Sequence, residues 1–112
     1  MHIQSFKDLI VWQKSMLLAQ RVYQISGQLP KGEVFGLMSQ MQRAAVAIPS
    51  NIAEGKKRKT RKDFAHFLRI ADGSAAELET QLLLTRDVYN EMNVEEVLSL
   101  LEEVQKMLTT MI

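Results

Sequence analysis

GEVFGLMSQMQRAAVAIPSNIAEG, residues 32–55, decides the fold. Val34, Met38, Met41, Ala45, Ile48 and Ile52 recur at alternating four- and three-residue spacing. That period lines apolar side chains along one face of a helix. Pro49 lies inside the pattern, where its ring removes a backbone donor and crowds the Ala45 carbonyl. The stripe continues to Ile52, so the spacing predicts a kinked helix and not a stop. Ser50 and Asn51 can satisfy backbone groups near the kink. This helix is expected to begin near Glu33, after the Pro30-Lys31-Gly32 turn, and to end at Gly55.

Three more helices flank it. The first is expected from Asp8, which can cap it, to Ser26, with Gly27 as its end. Leu9, Trp12, Met16, Ala19 and Tyr23 form one stripe, and Val11, Leu18, Val22 and Ile25 a second beside it. Two adjacent stripes make an apolar face wider than one partner helix covers. The third helix follows Thr60, whose spacing to Asp63 resembles a capping box. Phe64, Leu68, Ala71, Ala75, Leu78, Leu82 and Tyr89 carry its pattern to about Asn90. Its small-residue middle, Ala71 to Ala76, permits close helix approach, although Gly73 costs about 1 kcal/mol of helix propensity. The fourth starts at Asn93, with Glu96 completing a capping pattern. Val94, Val97, Leu101, Val104, Leu108 and Met111 give it an unbroken stripe. With no competing strand alternation and short connections, the expected fold is all-α, an antiparallel up-and-down four-helix bundle. At 112 residues it suits one domain, 1–112.

The chain has no cysteine, which excludes disulfides and thiolate metal sites and is compatible with a reducing compartment. Leu9 to Trp12 is too short an apolar run for a signal peptide or a membrane span. A cytoplasmic protein without membrane contact is expected.

The net charge of +1 hides an asymmetry. Residues 1–62 hold 11 Lys/Arg against 3 Asp/Glu, or +8; residues 63–112 hold 3 against 10, or −7. Six of the seven residues from 56 to 62 are basic: Lys56, Lys57, Arg58, Lys59, Arg61 and Lys62. Such density between two helices suggests a polyanion partner, RNA or DNA, although charge runs are usually solvated connections. Phe64 and Phe67, the aromatics beside the run, are read as core, so sequence-specific readout is not expected. The competing reading is a protein-interaction scaffold, in which the run docks an acidic partner or the acidic half of another subunit.

QRAAVAIPSNIAEG (Gln42 to Gly55), GSAAELETQL (Gly73 to Leu82) and FKDLIVWQ (Phe6 to Gln13), in this order and spacing, resemble the bacterial 23S rRNA-intervening sequence proteins. Tyr23, Pro30, Glu33 and Gly36-Leu37 fit the same pattern, and the resemblance covers about Phe6 to Asn90. It implies a bacterial cytoplasmic four-helix bundle assembled as a ring-like homopentamer. It also implies a distant similarity to the accessory variability protein of diversity-generating retroelements, and by that analogy a reverse transcriptase partner. Arg43, Pro49, Asn51, Glu54 and Gly55 match the signature as oligomer or structural motif residues, and no catalytic role comes with them. For Arg43 the expectation is an ion pair or hydrogen bond, with Glu54, with an acid of the third helix such as Glu77 or Glu79, or across a subunit boundary.

No enzyme is expected. The chain offers no glycine-rich phosphate loop and no serine elbow. A di-iron site in a helical bundle needs two Glu-x-x-His pairs, and only Asp63-x-x-His66 approaches one, His2 being terminal. No metal or other cofactor is expected, and His66 is read as capping a polar edge.

Overall fold

The computed structural model describes residues 5–112. Four helices, α1 (Ile10–Ser26), α2 (Leu37–Lys56), α3 (Arg61–Val88) and α4 (Glu95–Met111), account for most of them. Short 3₁₀ turns at Phe6–Asp8 and Lys31–Glu33 precede α1 and α2, and no strand occurs among the described residues. α1 packs on α2 and α4, and α3 on α2 and α4, with the α2–α3 seam the most extensive. The molecule measures 44 × 24 × 19 Å, its long axis matching α3 at 1.5 Å per residue.

One buried cluster joins the helices: Val11, Leu18 and Val22 from α1, Met41, Ile48 and Ile52 from α2, Leu68, Leu78 and Leu82 from α3, and Leu101, Val104 and Leu108 from α4. Each fully buried aliphatic side chain contributes roughly 1.5–3 kcal/mol of transfer free energy. Cross-helix pairs fix the register. Lys14 meets Glu103 at 2.6 Å and Arg21 meets Glu96 at 3.6 Å, so partner numbers on α4 fall as α1 advances. Gln42 donates to the buried Ser26 hydroxyl at 3.0 Å, tying α2 to the end of α1.

The two stripes of α1 have different fates. Val11, Leu18, Val22 and Ile25 enter the core together with Leu9 and Ala19 of the first stripe, whereas Met16 and Tyr23 of that stripe stay exposed and Trp12 is half-buried. Trp12, Met16 and Tyr23 instead line an open apolar groove with Val46, Pro49 and Ala53 of α2, about 570 Å³ in volume.

Several expected boundaries move. Asp8 does not cap α1; it closes the 3₁₀ turn, which Ser5 caps, and Leu9 precedes α1 without a side-chain cap. α2 begins at Leu37 and not near Glu33, and Val34 leaves the buried line to lie 40% exposed. The reason is local: Glu33 turns back so that its Oε1 accepts from the Leu37 N–H at 3.2 Å, doing from the preceding turn what Gly36 cannot. α4 starts at Glu95 after Val94, which gives no side-chain cap, while the Asn93 Oδ1 just before it accepts from the Glu95 N–H at 3.1 Å.

α2 continues through Pro49 to Lys56. Next to the Ala45 carbonyl that Pro49 leaves without its helical donor, Ser50 donates to the Val46 carbonyl and Asn51 to the Ala47 carbonyl, both at 2.8 Å. Within the small-residue middle of α3, Ala71, Ser74 and Ala75 are buried. Gly73 is exposed, with nothing within 4 Å of the position a Cβ would take, while Gly55 is buried against α3.

Candidate nucleic-acid interface

The six basic residues straddle the corner between α2 and α3. Lys56 is the last residue of α2 and Lys57 its C-terminal cap, positions where cations oppose the negative end of the helix dipole favourably. Thr60 caps α3, its hydroxyl accepting from the Asp63 N–H at 3.1 Å. Arg61 and Lys62 therefore occupy the first two positions of α3, where the dipole is positive and a cation is disfavoured. Helix stability does not account for them there.

The corner is tight because residue 55 has no side chain. A Cβ there would stand 2.6 Å from the Phe67 Cβ and 3.1 Å from Phe64 Cδ1. The two rings thus lie against the last turn of α2, under the basic run. The Lys56 ammonium sits 5.9 Å and the Arg61 guanidinium 5.7 Å from the Phe64 ring centre. Arg58 lies over Phe67 at 4.8 Å, and the exposed His66 ring meets Phe67 edge-on at 5.3 Å. The core assignment is therefore half right: Phe64 packs against the core from its edge, but Phe67 stays half-buried under Arg58 and outside the core cluster. The signal available in the sequence was the i, i+3 spacing of Phe64 and Phe67 directly after the cap.

Charge at this corner is largely uncompensated. Among the described residues, Arg58 alone of the six forms an ion pair, with Glu54 at 2.9 Å. Arg61 donates to the Met111 carbonyl at 2.7 Å, which brings the end of α4 to the same corner. Lys57, Arg58, Lys59, Arg61 and Lys62 are exposed and Lys56 is half-buried. The +8 and −7 parts of the chain meet through pairs such as Lys14–Glu103 and Arg21–Glu96 away from the run.

The signature residues separate. Asn51, Pro49 and Gly55 serve the α2 backbone and its seam with α3 as described. Glu54 belongs to Arg58 and not to Arg43. Arg43 is exposed and lines a hollow with Gln40, Ala47, Ser74, Glu77 and Gln81, where the Gln81 Oε1 is buried without a hydrogen-bond partner. Glu79 accepts from Gln105. Among the described residues no three His, Asp or Glu side chains gather as a metal site, and His2 lies outside them.

The family model for 23S rRNA-intervening sequence proteins matches residues 7–110. The chain belongs to that family. A crystal structure from Bacteroides thetaiotaomicron, described as a protein of unknown function from the S23 ribosomal protein family, superposes with a TM-score of 0.76. It shares 30% sequence identity, over 90% of this chain and 96% of that one. No curated protein matches the sequence. The intervening-sequence motif Gln42–Gly55 thus runs from the hollow at Arg43, through the groove wall at Pro49, to the glycine under the basic corner. No helix among the described residues is long and apolar enough to cross a membrane.

Proposed function

We propose that the protein binds RNA or other nucleic acid without catalysis, through the Lys56–Lys62 corner. The observation that carries this reading is five exposed cations beside a half-buried sixth, with one acidic partner between them. Lysines there act as mobile point charges, whereas Arg58 and Arg61 can each hold two phosphate oxygens. The positive end of the α3 dipole adds to the same field. The test is titration of labelled RNA at low and moderate salt against native protein and a variant with the six cations neutralised. Equal, negligible binding by both defeats the proposal.

The surrounding architecture in this reading is an antiparallel up-and-down bundle, one domain, in the bacterial cytoplasm. The falling register between α1 and α4 supports the antiparallel order. Copies associate into a ring, a homopentamer by family resemblance, so that the fields of several corners sum. Phe35 supports self-association: it is 97% exposed, a cost that a partner surface would remove. The same chain carries an apolar groove at Trp12, Met16 and Tyr23, and a knob and a hollow on one molecule build a head-to-tail ring.

Those apolar surfaces also favour a second reading, a protein scaffold whose basic corner docks an acidic protein or subunit. Light scattering separates the two. Neutralising the run changes the oligomeric mass under the scaffold reading and leaves it unchanged under the first. A reverse transcriptase partner, by distant analogy, would co-purify only if encoded nearby.

A further inference from the structure

Like charges packed into seven residues should splay into water. Three of these six do not: Lys56, Arg58 and Arg61 fold back over two phenylalanine rings. Arg58 is held on two sides, by the Glu54 carboxylate at 2.9 Å and by the Phe67 ring at 4.8 Å. Its planar guanidinium is thereby fixed near the ring, at an exposed site. His66 adds an exposed ring edge-on to the half-buried Phe67, and Lys62 and Arg69 lie four residues before and three after His66 on α3, both exposed.

We propose that Phe67, Arg58 and His66 form a stacking site for an unpaired base, so that the basic corner takes single-stranded in preference to duplex polynucleotide. The inference rests on the nucleic-acid reading above and names its substrate class. An unpaired base offers two flat faces, and it stacks on aromatic rings or on a guanidinium plane. A duplex keeps those faces stacked on each other and presents only phosphates and groove edges. The corner supplies both parts that a single strand uses: a flat cationic plate supported by a ring, and exposed cations on either side of it for the flanking phosphates.

Two charge-preserving substitutions test this. Phe67→Leu keeps an apolar side chain and removes the ring; Arg58→Lys keeps the charge and removes the plane. Fluorescence anisotropy at one fixed salt would compare a labelled single-stranded RNA of about 15 nucleotides with the same strand annealed to its complement. Native protein is expected to bind the single strand more tightly. Each substitution should weaken the single strand roughly tenfold and leave the duplex within about twofold. The salt slope should not change, because the charge is the same. Equal weakening on both substrates, or none on either, overturns the stacking site while leaving the electrostatic reading intact. Failure of native protein to bind either substrate overturns both. If circular dichroism shows Phe67→Leu to be unfolded, the Arg58→Lys comparison decides alone.

Discussion

Gly55 of α2 and Phe67 of α3 are in backbone-to-side-chain contact, so close that a Cβ on residue 55 would stand 2.6 Å from the Phe67 Cβ. The glycine therefore sets the separation of α2 and α3 at the corner where the basic run turns, and with it the position of both rings beneath the cations.

Replacing Gly55 with Ala should destabilise the fold. In an open helix the change gains about 1 kcal/mol of propensity. Here overpacking of about 1–3 kcal/mol opposes it, and a net loss of up to about 2 kcal/mol is expected as a lower urea midpoint. Because the clash is with the Phe67 Cβ, adding Phe67→Ala should not restore stability. A Gly55→Ala protein as stable as native would show that the two helices separate at no cost.

Gly73 should respond in the opposite direction. It lies mid-helix in α3, with nothing within 4 Å of where a Cβ would stand. Gly73→Ala should stabilise the protein by roughly 0.5–1 kcal/mol and raise its melting temperature by a few degrees. A fall in melting temperature would mean that this face is covered by another molecule.

These two glycines show what was legible in the sequence. The three-four periodicity located all four helices, because burial of one face is a property of the pattern itself. It could not say which glycine is crowded, since that depends on which residues of the neighbouring helix lie opposite. Gly55 is crowded, whereas Gly73, inside the small-residue patch at 71–76, is open. The basic run was visible as charge, but the cation–ring contacts came from a chain reversal that brings Phe67 under Arg58. Val34 fits the apolar stripe of α2 by spacing alone, yet the Glu33 side chain starts the helix three residues later.

Glu33 also carries a pH dependence. Its carboxylate accepts from the Tyr89 hydroxyl and from the Leu37 N–H, linking the start of α2 to the end of α3. The Tyr89 hydrogen bond, then the Leu37 one, lowers its pKa below 4.5. Its stabilising contribution is thus complete above about pH 4.5 and vanishes as pH falls through the lowered value. The Glu33 hydrogen bond, then burial and the charges of Glu33 and Glu91, raises Tyr89 above 10. That contribution is complete below pH 10 and vanishes as pH rises through the raised value. Melting temperatures across both ranges should fall less in Tyr89→Phe than in native protein. Glu33→Gln should flatten the acid limb further, since the Leu37 N–H then meets an uncharged acceptor. Identical curves for all three proteins would remove this link.

Phe35 offers a test of self-association that spares the core. At 97% exposure it contributes almost nothing to the packing of its own chain. Phe35→Ser should alter monomer stability by no more than about 0.5 kcal/mol, yet reduce the mass seen by light scattering. An unchanged mass would mean that Phe35 takes no part in self-association.

Lys62 sets stability against binding. As the second residue of α3 it meets the positive end of the helix dipole, and it has no acidic partner among the described residues. Lys62→Glu should therefore stabilise α3, by about 0.3–1 kcal/mol at low salt. The same change removes one cation and adds an anion at the proposed phosphate surface. Binding to single-stranded RNA should weaken, and its log–log salt slope should become shallower by about 0.7 for each phosphate that is no longer neutralised. A more stable protein that binds less well is what a residue retained for its charge and not for its helix would give. If Lys62→Glu instead lowers the melting temperature and leaves RNA affinity untouched, Lys62 serves the fold and the phosphate surface lies elsewhere.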